Sequence, residues 1–378
     1  MIMNTVKNLN TYVENVIENG FSCDNIIVEH RSNNPKRDFL FVNRKQCKHI
    51  PYSAHEMIAM CRTLAEVIKN RLSFDLRIAV VAFAETATAI GNFVADEIPQ
   101  CSRVFRTTRE PLDDVGVLFE FREEHSHAVQ QRIYGDRESF AKFDYILIVD
   151  DEITTGNTAL NFIEGLNREG INSRFGIASI CNWQNEQERE RFRENGIDLF
   201  YLLSGKIRDV NQKMANVKAL PELVCNDLRN APMELINVEI PIRERLEHKP
   251  NRDLSSVFAA VDSLKLKGNT VRVIGTEEFM YVPIRVSEHL ENIGFAVVCH
   301  STTRSPIDVI SREPNGIRSK ICLPSVYDRN RTTYLYNIGE HTDIALLVTD
   351  AAESEVFSRL GGLLNCGRFV VVRISEGK

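Results

Sequence analysis

The sequence predicts an α/β protein of two domains, each built on a largely parallel sheet. The chain has 378 residues, which favours two domains over one. Apolar strand-like runs alternate with helical patterns, as in parallel sheets. The order of elements recurs, because AVVAFAETATAIGNFVADEI followed by VFRTTREP resembles VRVIGTEEFMYVPIRVSEHL followed by VCHSTTRSP. Each time a strand ends in a turn that contains Glu, a helix follows, and the next strand ends in Thr-Thr-Arg. Chance similarity of generic strand–helix units is the alternative.

Composition and charge narrow the class of protein. The chain has 43% hydrophobic and 26% charged residues, as ordinary globular proteins do, and its net charge of −6 argues against a nucleic-acid partner. The nine cysteines show no C-x-x-C spacing, so neither a zinc site nor a redox dithiol is indicated. There is no apolar run of membrane-spanning length and no signal-peptide core, so we expect a cytoplasmic protein without a membrane partner.

The first half of the chain reads as a series of strands and helices. Phe39 to Val42 is predicted to be a strand, and Ser53 to cap the helix HEMIAMCRTLAEVIKNRL. LRIAVVAFAETATAIGNFVADEI predicts a buried strand, a turn of small residues and a helix, and RVFRTTREP a further strand. Residues 110–140 are polar without a strong period, which predicts a long loop. After the strand and helix of YILIVDDEITTGNTAL come FGIASICNW, a polar helix at 186–194 and IDLFYLLSG.

The second half follows the same plan. Residues 206–250 have weak periodicity and mixed charges, so we place a junction there, between a first domain at 1–205 and a second at 251–378. The second domain is predicted from VRVIGTEEFMYVPIRVSEHL, TDIALLVTDAAESEVFSRLGGLL and RFVVVRI. Where the first half reads LIVDDEITTGNT, the second reads LLVTDAAESEV, which predicts a related but degenerate copy.

The strongest functional signal is the stretch YILIVDDEITTGNTAL. Asp150 and Asp151 follow an apolar strand, at the end where open α/β sheets bind ligands. Residues 154–158 form a small polar loop that opens a helix, and backbone N–H groups at a helix start bind anions. Gly156 permits close backbone approach. The stretch therefore predicts a ligand with a phosphate for the loop and sugar hydroxyls for the carboxylates; an ordinary capped helix is the alternative.

LIVDDEITTGNT resembles the signature of type I phosphoribosyltransferases, which bind phosphoribosyl pyrophosphate (PRPP). The resemblance implies that the PRPP loop spans residues 146–158. It places Asp150 and Asp151 against the ribose hydroxyls and counts Glu152 among the PRPP-binding residues. It implies that the 5′-phosphate is held by Thr154, Thr155, Gly156, Asn157 and Thr158.

Further segments resemble one branch of that family. NPKRDFLFVNRKQCKHIP, AFAETATAIG, VFRTTRE, EEHSH and STTRSP are together similar to the phosphoribosyltransferases encoded with bacterial tellurium-resistance (Ter) stress systems. Their C-terminal domain is named for a Thr-Arg-Ser-Pro motif, here residues 303–306. The resemblance implies a type I phosphoribosyltransferase fold, a mostly parallel sheet flanked by helices, and a pathway to a nucleoside-like metabolite. It leads us to expect Gly where this chain has Cys47, which puts the local backbone in question.

The resemblance also implies a mechanism in which pyrophosphate leaves the ribose C1 through an oxocarbenium-like state. Mg²⁺ would arrive on pyrophosphate oxygens, so we expect no metal site made by the protein alone. Six residues are placed on the pyrophosphate side, either by the resemblance or by charge: Glu85, Thr86, Ala87, Thr88, Arg106 and Arg109. The alternatives are a tight turn that begins a helix at residues 85–88 and arginines that are only solvated.

Three further groups are weaker candidates. His125 and His127 lie where the family has a mobile hood, and they are assigned to catalysis at the leaving group; a metal pair or a solvated loop is the alternative. Lys48 and His49 are candidates for the acceptor pocket, against a role as surface charge. The Thr-Arg-Ser-Pro motif is assigned to binding the acceptor or a product phosphate through Thr303, Arg304 and Ser305; the alternative is that it binds no ligand.

The sequence therefore predicts a Mg²⁺-dependent phosphoribosyltransferase that joins PRPP to an unidentified nitrogenous acceptor or catalyses the reverse cleavage by pyrophosphate. A homodimer is a possible assembly. A PRPP-sensing regulator and a ribose-phosphate pyrophosphokinase are the rival functions. The sequence names neither the acceptor, nor the direction of reaction, nor the oligomeric state.

Overall fold

The computed structural model describes residues 9–31, 38–112, 115–122, 130–208, 223–224, 232–240, 247–310, 316–352 and 354–376. Its helices are α1 Leu9–Tyr12, α2 Ala54–Lys69, α3 Thr88–Asp96, α4 Arg137–Phe140, α5 Asn157–Arg168, α6 Glu186–Glu194, α7 Ser255–Ser263, α8 Tyr281–Asn292 and α9 Glu355–Leu363. Its strands are β1 Val13–Glu18, β2 Ile26–His30, β3 Phe39–Asn43, β4 Ile78–Ala82, β5 Cys101–Thr108, β6 Val117–Arg122, β7 Gln130–Tyr134, β8 Tyr145–Ile153, β9 Arg174–Asn182, β10 Asp198–Ile207, β11 Leu223–Val224, β12 Glu234–Ile240, β13 Thr270–Gly275, β14 Ala296–Ser301, β15 Lys320–Pro324, β16 Thr332–Tyr336, β17 Thr342–Thr349 and β18 Cys366–Glu376.

The N-terminal half forms an eight-stranded sheet in the order β1-β10-β9-β8-β4-β5-β7-β6. Strands β10, β9, β8, β4 and β5 are parallel, and antiparallel strands lie at both edges. The central strand β4 is buried at every position, as expected for a parallel strand covered by helices on both faces. The predicted α/β class with a mostly parallel sheet is confirmed.

The prediction of a long loop at residues 110–140 is wrong. β6 and β7 form an antiparallel hairpin that extends the sheet beyond β5. Phe119 and Phe121 on β6 pack against Phe162 of α5, with ring centroids 5.3 and 5.1 Å apart. A short alternating run can form an edge strand even in a polar segment, because only one face is buried. His125 and His127 lie outside the described residues.

The C-terminal half has a parallel five-stranded sheet in the order β12-β18-β17-β13-β14. A smaller sheet, β11-β15-β16, accompanies it. β12 lies within the segment predicted as a junction, so residues 206–250 contribute a strand to the second sheet. Its sequence ELINVEI has two buried residues, Val238 and Ile240, which explains the weak apolar signal.

The two halves share one structural plan, as the recurring motifs predict. β8-β4-β5 and β17-β13-β14 have the same order and direction, and a helix follows the middle strand in each, α3 or α8. The turn after the middle strand is held in the same way. The Ala84 N–H donates to Thr107 Oγ1 at 2.8 Å, and the Glu277 N–H donates to Thr302 Oγ1 at 3.1 Å. Glu278 is thereby the counterpart of Glu85.

The halves pack directly against each other. The ring centroids of Phe93 on α3 and Tyr281 on α8 are 4.9 Å apart, and Tyr281 Oη donates to Asp96 Oδ2 at 2.7 Å. One apolar cluster runs through both domains, so they share a core.

The predicted cap of α2 is confirmed, since Ser53 Oγ accepts from the Glu56 N–H at 3.4 Å.

In the part of the chain that the structure describes, no helix is long and apolar enough to cross a membrane.

Candidate active site

The acid pair lies within β8 rather than after it. β4 pairs with β8 only as far as Val149, whereas β9 continues to pair up to Ile153. The sequence predicts that the strand ends at Val149, whereas the observed strand continues to Ile153. Asp150, Asp151 and Glu152 are half-buried at the carboxyl edge of the sheet. Beyond Val149, pairing of β8 stops on the β4 side and continues on the β9 side.

Asp151 is joined to two other loops. Thr86 Oγ1 donates to Asp151 Oδ1 at 2.8 Å, and Gln46 Nε2 lies 3.4 Å from Oδ2. Gln46 Nε2 also donates to the Thr86 carbonyl at 3.0 Å. Burial raises the pKa of Asp151, and the Thr86 hydrogen bond partly offsets this. Sequence reasoning missed Gln46, although it stands in the segment QCKHIP beside two candidate residues.

The loop that opens α5 requires its glycine. Gly156 has φ +80°, in the left-handed region, and a Cβ there would collide with the ring of Phe192. The carbonyl of Thr155 accepts from Gln184 Nε2 and Arg191 Nη2, each at 3.1 Å. Arg191 Nη2 also donates to Asn157 Oδ1 at 2.7 Å. The loop is therefore held from the end of β9 and from α6, by residues that no local motif identifies.

A cavity of about 180 Å³ opens beside this loop. Its size suits one phosphate or a single ring, since a cavity of about 150 Å³ holds benzene. Its lining provides hydroxyl, amide and ammonium donors, along with one carboxylate. The lining residues are Thr154, Thr155, Trp183, Asn185, Glu188, Lys206 and Ile207.

The turn after β4 carries a buried carboxylate. Glu85 is 4% exposed and lies 2.9 Å from Lys48 Nζ and 3.8 Å from Arg109 Nη1. Both of its oxygens accept from the Arg304 N–H at 3.3 Å. Burial alone would raise the pKa of Glu85, but Lys48, Arg304 and Arg109 outweigh it and lower that pKa to about 2. The carboxylate of Glu85 therefore faces cations of the protein.

The other pyrophosphate candidates lie at the same edge. Arg106 is 2% exposed, and its Nη1 donates to the Glu278 carbonyl at 3.5 Å. Thr88 Oγ1 donates to the same carbonyl at 2.9 Å. The Arg109 N–H donates to Glu278 Oε1 at 3.0 Å. Ala87 is the N-cap of α3, and its N–H donates to the Phe83 carbonyl. The structure thus brings these candidates together, against Glu278 of the second domain.

Lys48 and His49 are buried, 1% and 4% exposed, so they are not surface charge. Lys48 Nζ donates to the carbonyls of Glu277 and Thr302, the latter at 3.3 Å. His49 lies beside Tyr336, with ring centroids 6.1 Å apart. Burial and Lys48 lower the pKa of His49 to about 4, so its ring is neutral near pH 7. Neither ring nitrogen has a hydrogen-bond partner among the described residues.

Arg304 of the Thr-Arg-Ser-Pro motif is bound by carboxylates. Its Nε donates to Glu277 Oε2 at 2.8 Å, and its Nη2 donates to Glu110. Arg331 Nη2 reaches the same two carboxylates, at 2.7 Å from Glu110 and 2.9 Å from Glu277. Thr303 Oγ1 accepts from the Ser305 N–H at 3.2 Å. Anion binding by this motif stays a prediction, and an anion there would compete with carboxylates already bound.

These residues form an ionic cluster between the facing sheet edges of the two domains. Four carboxylates and four cations contribute to it, so its formal charges cancel. We call this set the interdomain cluster: Glu85, Glu110, Glu277, Glu278, Lys48, Arg109, Arg304 and Arg331.

Among the described residues, no group of three or more His, Cys, Asp and Glu side chains is arranged to hold a metal ion.

The acid pair, the Thr-Gly loop and the parallel sheet define the N-terminal domain as a phosphoribosyltransferase domain. Residues 28–202 match the family model described as phosphoribosyl transferase. Residues 242–365 match the TRSP domain, which is described as C-terminal to that transferase domain. The family predicted from the motifs is therefore confirmed domain by domain: a phosphoribosyltransferase domain is followed by a TRSP domain. The link to tellurium-resistance systems stays a prediction.

The individual proteins that the chain is similar to share low sequence identity with it. Orotate phosphoribosyltransferase from Lactobacillus johnsonii is 26% identical over 137 residues, which are 36% of this chain and 60% of that protein. The chain thus matches less than two thirds of this relative's length. The structure of adenine phosphoribosyltransferase from Rhodothermus marinus shares 15% identity at a TM-score of 0.36, over 48% of this chain and 94% of its own. The structure of adenine phosphoribosyltransferase from Leishmania donovani shares 16% identity at a TM-score of 0.37, over 48% of this chain and 77% of its own.

Proposed function

We propose that the protein transfers a 5-phosphoribosyl group from PRPP to a nitrogenous acceptor, or catalyses the reverse cleavage by pyrophosphate. One observation carries the proposal: the acids of β8 and the loop before α5 lie together at the carboxyl edge of a parallel sheet. By the family resemblance, the reaction belongs to a Ter-linked stress pathway that makes a nucleoside-like metabolite.

The acids of β8 bind the ribose, and the loop before α5 binds its 5′-phosphate. The ribose hydroxyls donate to the carboxylates of Asp150 and Asp151, with Glu152 beside them. The 5′-phosphate binds the N–H groups and hydroxyls of residues 154–158, where the start of α5 favours negative charge. Thr86 and Gln46 fix Asp151, so the carboxylate is oriented before the substrate arrives.

The leaving pyrophosphate is assigned to the turn at residues 85–88 and to Arg106 and Arg109. Negative charge develops there as the bond to the ribose C1 breaks, and Arg106 and Arg109 are assigned to stabilise it in exchange for their contacts with Glu278 and Glu85. The facing edge of the TRSP domain keeps water from the sugar cation, which would otherwise be hydrolysed. His49, neutral and buried near Glu85, is assigned to the acceptor side.

The donor types at this edge fit Mg²⁺, which prefers carboxylate and hydroxyl oxygens and retains several of its waters. One or two of the carboxylates of Asp150, Asp151 and Glu152 would contact it, and PRPP oxygens and water would supply its other ligands. When bound, the ion neutralises part of the pyrophosphate charge.

A ³¹P NMR experiment with PRPP, Mg²⁺ and a small-metabolite extract of the source cells tests the proposal. Wild-type protein is expected to release pyrophosphate and to form a new sugar-phosphate resonance. Asp151→Asn should lower the rate by about 100-fold or more, since it removes a fixed charge at the sugar. Asp144→Asn is the control, because it changes an acid at the opposite end of the same strand.

The outcomes separate the rival functions. Turnover that survives the double change of Asp150 and Asp151 to Asn would refute the assignment of the site. Binding of PRPP without release of pyrophosphate would favour a sensor. Formation of PRPP from ribose 5-phosphate and ATP would favour a pyrophosphokinase.

A further inference from the structure

We propose that Arg304 is a positioning residue for the pyrophosphate side of the phosphoribosyl site, so that the TRSP domain holds the leaving-group turns of the first domain. The inference rests on the proposed function, and it assigns a role to the motif for which the TRSP domain is named. Two turns are involved, residues 84–88 after β4 and residues 107–110 at the end of β5.

Arg304 holds the first turn through Glu85. Its backbone N–H lies 3.3 Å from both carboxylate oxygens, and its Nε lies 3.7 Å from Oε2. The side chains of Glu85 and Arg304 are 3% and 13% exposed, so the pair is shielded from water and salt. Glu85 lies in the turn that leads into α3, which begins at Thr88, so holding its carboxylate restrains this turn.

Arg304 and its neighbours hold the second turn as well. Arg304 Nη2 donates to Glu110, which also accepts from Arg331 Nη2 at 2.7 Å. Glu278 accepts from Thr108 Oγ1 at 2.5 Å and from the Arg109 N–H at 3.0 Å. Residues 108–110 are thus bound at successive positions by side chains of the TRSP domain.

The contacts are reciprocal between equivalent positions of the two halves. The N–H of Arg304 donates to Glu85, and the N–H of Arg109 donates to Glu278. Each Thr-Thr-Arg segment therefore binds the Glu-containing turn of the other half, as equivalent patches do across a twofold axis. Neither turn can shift without breaking contacts in the other domain, which makes the TRSP domain part of the site's support.

This arrangement predicts a selective defect. The loop at 154–158 is held by Gln184 and Arg191 of the first domain, whereas the side chain of Arg304 reaches both turns, at Glu85 and at Glu110. Loss of the Arg304 side chain should therefore weaken the binding of ligands that carry pyrophosphate and leave the binding of ribose 5-phosphate nearly unchanged. A change in overall stability would weaken both kinds of ligand alike.

The experiment measures the dissociation constants of PRPP, pyrophosphate and ribose 5-phosphate, each with Mg²⁺, for full-length variants. Arg304→Ala is expected to raise the dissociation constants of PRPP and pyrophosphate at least tenfold, and that of ribose 5-phosphate less than threefold. Arg304→Lys is expected to restore part of the lost affinity. Arg318→Ala is the matched control, because Arg318 pairs with Glu340 at 2.7 Å on the surface of the same domain. Equal loss of all three ligands, or no loss, would overturn the proposal.

Amide hydrogen exchange gives a readout that does not depend on activity. Exchange at residues 84–88 and 107–110 should quicken in Arg304→Ala and in Glu278→Gln, but not in Arg318→Ala. If wild-type protein binds no PRPP, the proposed function fails while this exchange still tests the positioning. Unchanged exchange in both variants would refute it.

Discussion

Cys47 shows why the family resemblance led us to expect glycine at its position. Its φ and ψ are 52° and 33°, in the left-handed region that glycine adopts without a steric cost. The side chain is fully buried, and Sγ lies 3.5 Å from the Ser53 carbonyl and 3.6 Å from that of Tyr52. The chain thus keeps the turn that leads into Lys48 and His49 while it fills the space with sulfur.

Two variants at this position separate backbone strain from side-chain packing. Both Cys47→Gly and Cys47→Ala lose the Sγ contacts, but only Ala keeps a Cβ at positive φ, so the Gly variant should be more stable by about 1 kcal/mol. Urea unfolding measures the difference. The same pair at Cys61, inside α2, is the control and should show the opposite order by about 1 kcal/mol. Equal stability of the two Cys47 variants would refute the strain.

Glu85 should make stability depend on pH. Its pKa is lowered to about 2 in the folded protein, so it stabilises the fold above its unfolded pKa, and this contribution is lost as pH falls through about 2. At pH 7, Glu85→Gln leaves Lys48 buried without its carboxylate and should cost about 3–5 kcal/mol.

The free energies of unfolding of wild type and Glu85→Gln should therefore converge between pH about 4.5 and about 2. Denaturant titrations at several pH values measure this. Glu97→Gln, which changes the exposed pair with Arg62, should show a small difference at every pH. A difference for Glu85→Gln that stays constant with pH would contradict the assignment.

At the scale of elements, the unit β8–loop–α5 combines a predictable core with unpredictable supports. The apolar run, the acids and the Gly-containing loop are contiguous, so the sequence alone predicts the order of strand, loop and helix. Gln184 and Arg191, which hold the Thr155 carbonyl, come from the next strand and helix, and their contacts depend on the tertiary fold. The β6–β7 hairpin was missed for a similar reason, because its burial depends on Phe162 of α5.

Gly156→Ala tests the loop as a unit. A Cβ at φ +80° is strained and also collides with Phe192, so the loop must move. We expect loss of ribose 5-phosphate affinity by at least about tenfold and a fall in stability of about 1–3 kcal/mol. Calorimetric titration and thermal unfolding measure the two effects. Gly196→Ala is the control, since Gly196 also has positive φ, at 64°, but an added Cβ meets no atom within 4 Å.

If Gly196→Ala weakened ribose 5-phosphate as much as Gly156→Ala does, strain anywhere in the domain would explain the result. The role of the loop at 154–158 would then lose its support.

For the whole molecule, the repeat in the sequence correctly indicated two related halves, but not that their carboxyl edges face each other. That contact depends on pairs such as Glu85 and Arg304, which are 219 positions apart and carry no local pattern. Lys48 likewise looks like an ordinary surface residue in the sequence, and only the fold shows that it is buried.

The shared core predicts that the two domains unfold together. Apolar residues of both halves belong to one cluster, and Phe93 packs on Tyr281 across the boundary. Differential scanning calorimetry should show one transition whose calorimetric and van't Hoff enthalpies agree. Tyr281→Phe, which removes the hydrogen bond to Asp96, should lower the Tm without splitting the peak. Two separated transitions would contradict a single cooperative unit.

The balanced charges of the interdomain cluster also constrain how the sequences of the two domains can diverge. Glu85 and Arg304 belong to this cluster from opposite domains, so a change of charge at either position leaves the cluster with one unbalanced buried charge. Neutral drift at one position therefore requires a matching change at the other. The two domains should diverge as one lineage, and a hybrid that joined the first domain of one relative to the TRSP domain of another would bring together charges that had never been matched.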